Sequence, residues 1–485
     1  MLHEVRRSPS GDAERAAGRV VLVKRIRAGD GVSYGHTFVA PSDGWIALVA
    51  IGYGDGVHRK AGNRASAAIR GERFPIVGRV AMNALVLWLG DDRGGVVPGD
   101  EAVLFGDGPG EPRLEDWARA VGEDPRAVAA GFGRSAEPEG AAWIDVDLEA
   151  YQSNVRLLRD RVAPAELMAV VKSDAYGHGA EAIATAAVAE GVSRFGVLDV
   201  PTAREVRLVA PDAQLFVWLW SADELPEALA LGADLGVSSV DQLGAVTAAA
   251  RAAHSVARAH LKIDTGLGRA GAREEDWPAL LAAAREAEAT GALLVAGVWT
   301  HIAEVSAESD SASIERFAAA AARAERTLGH AVERHLAASA AAYAREDARF
   351  DVVRIGAFGY GIAPGGGIGP AALGLEPVMA LRARVTATEH GIATLGIGTR
   401  HGLPAAEPGQ LAARAPYGPV AIAGVELDRT VLVAPGARVG DIVTLFGTPG
   451  RGEPTLQEWA DALGTIGEEL AVRLSPAIER RYRAD

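Results

Sequence analysis

The run Ala169-Val-Val-Lys-Ser-Asp-Ala-Tyr-Gly-His-Gly179 decides how this chain is read. A short apolar stretch ends on Lys172, and a polar, glycine-bearing turn follows at once. That is the pattern of a buried strand presenting one lysine at its carboxyl-terminal mouth. Burial disfavours the ammonium, lowers its pKa, and leaves a neutral amine that can act as nucleophile or base. A solitary lysine at a strand end more often reaches past an apolar wall to water. What separates the two readings is whether the rest of the chain supplies partners.

Between about 142 and 370, eight apolar strand candidates alternate with alanine-rich helical stretches such as 314–328. They are 167–172, 195–199, 215–220, 235–238, 259–264, 295–301, 334–338 and 352–356. Eightfold strand–helix alternation predicts a (β/α)8 TIM barrel of the α/β class; no glycine-rich fingerprint opens the first unit, which argues against a doubly wound sheet. Gly365-Gly-Gly-Ile-Gly369 follows the last strand and reads as a linker to the second β module, with a phosphate loop the weaker reading. Barrel chemistry sits at the carboxyl ends of the strands. There the chain places Lys172, Arg269 after the fifth strand, His301 after the sixth, Ser339 past the seventh, and Arg354-Ile-Gly-Ala357 at the eighth. A lysine, two arginines, a histidine, a hydroxyl and a glycine turn on one rim suit a phosphorylated aromatic aldehyde.

The flanks repeat each other. Gly99-Asp100 through Leu104-Phe105-Gly106 recurs as Gly440-Asp441 through Leu445-Phe446-Gly447, and Glu111-Pro-Arg-Leu-Glu-Asp-Trp117 as Glu453-Pro-Thr-Leu-Gln-Glu-Trp459. Ile46-Ala-Leu-Val-Ala-Ile-Gly52 matches Ile392-Ala-Thr-Leu-Gly-Ile-Gly398. Short alternating stretches between Gly, Pro and Asp turns predict two small β-rich modules, each closing on a helix around Trp117 or Trp459. Arg19 aligns with Arg384 at an offset of 365 and Ile46 with Ile392 at 346, so the second copy lacks 19 residues. The lost piece corresponds to the region of Gly31-Val-Ser-Tyr-Gly-His-Thr37, and Tyr53 becomes Thr399. The predicted order is a tail at 1–18, a first β module at 19–136, the barrel at 142–370, and a degenerate β copy at 376–485.

At 485 residues the chain exceeds a single core. A net charge of −14 argues against nucleic acid or an anionic membrane as partner. The absence of cysteine excludes disulfides, thiolate metal sites and thiol catalysis. The charged stretch before Gly18 lacks the apolar core of a secretion signal, and no apolar run approaches membrane-spanning length, so the cytoplasm is the expected compartment.

These motifs resemble those of the alanine racemases, fold-type III enzymes dependent on pyridoxal 5′-phosphate (PLP). The likeness covers nearly the whole chain, but the order is altered. That family has a barrel followed by one β domain, whereas here a second β domain stands in front. The resemblance implies that Lys172 holds PLP covalently and serves as base on the D face of the substrate, with Tyr34 as base on the L face. It places Tyr176, Ser339, Gly356 and Ala357 at the phosphate, Arg354 against the pyridine nitrogen, and His301 against the cofactor ring. Arg269 would stabilise the Tyr34 phenolate and meet the substrate carboxylate, Lys262 would be a lysine open to carbamylation, and Tyr53, Met82 and Asn83 would line the substrate side. The implied activity is interconversion of L- and D-alanine by two bases. The alternative is a PLP enzyme of the same fold acting on another amino acid or reaction, such as decarboxylation, although decarboxylases of this fold need a thiol. Family members are head-to-tail dimers, so either a monomer completing its site with its own Tyr34 or a homodimer is open. Several positions depart from the family pattern: Asn83 stands for an Asp, Ala338 for an Asn, and a late tyrosine aligns with Glu468 in the second module and Arg126 in the first. The stretch Glu304-Val-Ser-Ala-Glu-Ser-Asp310 also differs from the usual motif.

Overall fold

The computed structural model describes residues 2–7, 13–132 and 142–483. Eight parallel strands form the centre: β1 (Glu166–Val170), β2 (Arg194–Leu198), β3 (Gln214–Val217), β4 (Asp234–Val237), β5 (Ala257–Lys262), β6 (Leu293–Trp299), β7 (Glu333–His335) and β8 (Val352–Ile355). They pair in the order β7-β6-β5-β4-β3-β2-β1-β8, and a parallel bridge from Ala338 to Arg354 closes β7 onto β8. The expected barrel is therefore present, and each strand overlaps its predicted run. β4 and β8 are buried at every position, which is why they read as continuous apolar runs rather than alternating ones. Among the described residues no helix is long and apolar enough to cross a membrane.

Two domain limits are corrected. Residues expected to be a tail form an edge strand, His3–Arg7, paired antiparallel with Ala13–Ile26. The strand Ala142–Asp147, expected to open the barrel domain, instead joins the sheet of the second β module, between Met379–Glu389 and Glu479–Arg483. The limit expected at 136 lies outside the described residues.

The duplication is repeated bond by bond. The indole nitrogen of Trp117 donates to the Ser66 carbonyl at 3.0 Å, and that of Trp459 to the Ala412 carbonyl at 3.0 Å. Glu111 accepts from the Gly108 amide and Glu453 from the Thr448 amide at corresponding turns. The 19-residue difference is now explicit. In the second module Glu389 pairs with Ile392 across a two-residue turn, His390-Gly391, with φ of 47° and 82°. Two left-handed residues make the tight hairpin favoured between twisted strands. In the first module the chain instead leaves the sheet after Ile26 and returns at Gly44.

That excursion docks on the barrel. Ser33 N–H donates to the Leu267 carbonyl at 2.8 Å, Gly35 N–H to the Ala303 carbonyl at 3.0 Å, and His36 Nε2 to the Gly266 carbonyl at 2.8 Å. Lys24 forms an ion pair with Asp264 at the same place, both side chains being almost fully enclosed. At Gly268, whose φ is +65°, an added Cβ would lie 1.9 Å from the Gly31 carbonyl oxygen.

The two modules also clasp each other. Helix Pro125–Phe132 of the first packs on the turn Thr399–His401 of the second, while helix Gly467–Arg473 of the second packs on the turn Tyr53–Asp55 of the first. These are corresponding elements, so the contact is reciprocal, as in a two-fold dimer interface. Arg59 N–H donates to Glu469 Oε1 at 3.0 Å and Arg473 Nη2 to His58 Nε2 at 3.1 Å across it. The second module shares one apolar core with the barrel, whereas the first keeps clusters of its own and contributes Tyr53 and Met82 to the barrel's core.

Candidate active site

After β1 the chain makes a left-handed turn. Ser173, Asp174, Ala175 and Tyr176 all have φ between 51° and 56°. Each such residue costs about 1–2 kcal/mol, a strain held only where the surroundings over-determine it. The turn brings Tyr176 against Gly356, where an added Cβ would come within 2.2 Å of the Tyr176 hydroxyl oxygen. Ser339, opening the helix after β7, accepts the Gly356 amide at 3.0 Å.

Lys172 borders a cavity of about 380 Å³ together with Tyr34, Tyr53, Met82, Asn83 and Arg269. The cavity also touches Tyr176, His301, Ser339, Arg354, Gly356 and Ala357. Every residue to which the resemblance gave a role thus reaches one space, Lys262 included. Burial pushes the Lys172 amine down to about 8, helped by Arg269 and opposed by Glu468. Lys262, only 4% exposed, lies 3.9 Å over the Trp299 ring, and burial holds its amine well below the usual lysine range.

The proton positions follow from Arg354, which can only donate. Its Nη2 reaches His301 Nδ1 at 3.2 Å, so that nitrogen accepts and the proton sits on Nε2. His301 Nε2–H then donates to the Tyr34 hydroxyl oxygen at 2.9 Å. Burial keeps His301 neutral, well below the ordinary histidine range, with Arg354 the largest cationic contribution. On the other side Arg354 Nη1 donates to His335 Nδ1 at 3.0 Å. His335 passes its Nε2–H to His260 Nδ1 at 2.8 Å, and His260 Nε2–H donates to Asp234 at 3.0 Å. A single guanidinium therefore orders two lines of imidazoles, one ending on a buried carboxylate and the other on the tyrosine. The Arg269 guanidinium carbon stands 5.0 Å from the Tyr34 ring centre.

Asp234, His260 and His335 are supporting residues that the strand-end rule passes over, because they lie within the barrel rather than at its rim. Arg59, Arg79, Glu304 and Glu468 also line the cavity. Of these, Glu304 and Glu468 were visible as departures from the family pattern.

A desolvated amine beside a glycine-and-hydroxyl cradle, with a buried arginine on the same rim, suits a barrel enzyme that carries a phosphorylated aldehyde. The residues fit PLP: none of the five hydrogen bonds made by the Arg354 guanidinium uses its Nε. The model of the alanine racemase N-terminal domain matches residues 146–364, and that of the C-terminal domain matches twice, at 13–138 and 380–482. The chain belongs to the alanine racemase family, whose members depend on PLP. It is 39% identical over 362 residues to an alanine racemase of Beutenbergia cavernae, covering 69% of this chain and 96% of that one. An alanine racemase of Thermobifida fusca is 38% identical over 370 residues, covering 70% and 96%. Among solved structures, alanine racemase from Streptomyces coelicolor A3(2) superposes with a TM-score of 0.68 at 36% identity, covering 71% of this chain and 98% of that one. The enzyme from D-cycloserine producing Streptomyces lavendulae gives 0.68 at 34%, covering 72% and 98%. Nearly whole relatives thus match only part of this chain, which leaves room for the additional β module.

Proposed function

We propose that this chain interconverts L- and D-alanine with PLP as cofactor, using Lys172 and Tyr34 as bases on opposite faces of the substrate Cα. The observation that carries this reading is that both side chains of one polypeptide border one cavity, with Tyr34 hydrogen-bonded to neutral His301. PLP, when bound, withdraws electron density from Cα and so acidifies its proton.

Inversion needs a base on each face, matched in pKa to the working pH. Lys172, with its amine pushed down to about 8, can hold or release a proton near neutrality. Tyr34 receives the His301 N–H on its oxygen and has the Arg269 cation beside its ring. Arg354, although lowered to about 10 by burial, stays protonated at neutral pH. In the assigned position it would keep the facing ring nitrogen unprotonated and so limit stray chemistry. Tyr176, Ser339, Gly356 and Ala357 are assigned to the phosphate, and Tyr53, Met82 and Asn83 to the substrate side. Arg269 is assigned to the substrate carboxylate; among the described residues no carboxylate pairs with it, and a carbamate on the neutral Lys262 amine would supply one. The first β module supplies Tyr34 to its own barrel, so we assign a monomer, in the cytoplasm, as the working form.

The test is L-alanine incubated with the PLP-loaded protein in heavy water. D-alanine labelled at Cα is expected, and Tyr34→Phe should lower the rate roughly 10²–10⁴-fold. Absence of any exchange from wild-type protein would overturn the reading.

A further inference from the structure

We infer that the cavity is built to accept amino acids whose side chain ends in a cation, with Glu304 as the residue that receives it. This rests on the racemase reading above and extends its substrate class beyond alanine.

Glu304 follows β6, three residues after His301, and faces the cavity that holds Lys172 and Tyr34. Its backbone is left-handed, at φ 54°, and non-glycine residues rarely adopt that conformation. The conformation is held from both sides: the Ala303 carbonyl accepts the Gly35 amide at 3.0 Å, and the Glu304 amide donates to Asp310. The docking segment that delivers Tyr34 therefore also sets the Glu304 side chain on the cavity wall. No side-chain hydrogen bond or ion pair joins this carboxyl to another described residue.

Glu468 lines the same cavity from the second β module, half-buried, its carboxyl accepting its own backbone N–H and attracted by Lys172 and Arg59. The Asn83 amide oxygen is a third acceptor, buried with no donor, although its nitrogen donates to Ser173 at 2.9 Å. Glu304 stands exposed at the cavity mouth and Glu468 is half-buried, so an incoming cation would meet two carboxyls to which no cation of the described residues is hydrogen-bonded.

Cations border the cavity as well. Arg269 is assigned to the substrate carboxylate, Arg59 attracts Glu468, and Arg79 lies against Gly35. Among the described residues no cation pairs with Glu304. Although the residue is exposed at the cavity mouth, desolvation by the surrounding wall, then Asp310, then Glu468 push its carboxyl up, toward about 7. An alkyl side chain would leave Glu304 unpaired and an acidic one would add repulsion, whereas an ammonium would satisfy it.

L-Ornithine and L-norvaline have side chains with the same three-carbon stem, and only ornithine adds the terminal ammonium, so their comparison isolates that charge. With PLP-loaded protein, kcat/KM for racemisation should favour ornithine by about two- to fivefold, the scale of an ion pair at an exposed carboxylate. Glu304→Gln should bring the ratio toward one, Glu304→Lys should reverse it, and Glu304→Asp should retain part of the preference. Each variant's cofactor absorbance confirms loading, and the ratio cancels any general loss of activity. Equal handling of the two by the wild type, or a ratio unmoved by Glu304→Gln, would overturn the inference while alanine turnover still stood. No turnover of alanine, norvaline or ornithine would bring down the racemase reading and this inference with it.

Discussion

Lys172 combines a position the sequence reveals with an environment it does not. Its place at the end of an apolar run is visible in the order of residues. The depth of the pocket and the nearness of Arg269 and Arg354 depend on loops from distant strands. The resulting depression has a testable sign. In cofactor-free protein the folded lysine titrates near 8, whereas the unfolded chain keeps the ordinary value of 10.5. Between those two values the unfolded state binds a proton that the native state lacks, so stability should rise with pH through this window. Below about 8 both states are protonated and this dependence vanishes. Urea unfolding of apo wild type against Lys172→Met should show the wild type gaining relative stability as pH rises from 8 toward 10. A pH-independent difference would mean that the amine is not held in a desolvated site. Asp234, His260 and His335 illustrate the opposite case. Each reads as an ordinary strand residue, and only closure of the barrel brings β4, β5 and β7 together beneath Arg354.

At the scale of elements, the barrel strands are legible because they are buried on both faces and alternate with helices of regular length. The misplaced elements were those whose pairing is remote or whose pattern is polar. His3–Arg7 carries mostly exposed side chains and shows no apolar alternation. Ala142–Asp147 is largely buried, but nothing local tells which sheet takes it, since its neighbours are Met379–Glu389 and Glu479–Arg483. The missing 19 residues were countable from the offsets, yet their replacement by a left-handed His390-Gly391 hairpin was not. The loss matters because the corresponding stretch in the first module is the part that touches the barrel. Gly268 is the tightest point of that contact: its φ is +65°, and a methyl group there would run into the Gly31 carbonyl. Gly268→Ala should therefore displace the Tyr34 segment without touching the cofactor cradle. We expect racemisation to fall at least about tenfold, since small misplacements of catalytic groups are costly, while cofactor absorbance persists. Unchanged kinetics would show that the segment tolerates a shift at this contact.

For the whole molecule, the duplication gives one barrel both of the β modules that converge on its site. Glu468 arrives from the second module and Tyr34, Tyr53 and Met82 from the first, and the two modules hold each other through reciprocal helix-to-turn contacts. The Tyr34 hydroxyl of this polypeptide reaches its own His301 at 2.9 Å. The second module has lost the segment with which the first docks, so it lacks the means to cap another barrel in the same way. A self-sufficient chain makes a definite prediction about mixtures. Lys172→Ala lacks one base and Tyr34→Phe the other; if each chain completes only its own site, no combination of the two contains both. Mixing them, including through mild unfolding and joint refolding, should yield no more activity than the sum of the separate variants, and light scattering of the wild type should give the 50.2 kDa of one chain. If tyrosines were exchanged between chains, mixed pairs would regain an intact Lys172–Tyr34 site and activity would return. Recovery of that kind would place the first module on a neighbouring barrel, and the reciprocal clasp would then have to form between chains rather than within one.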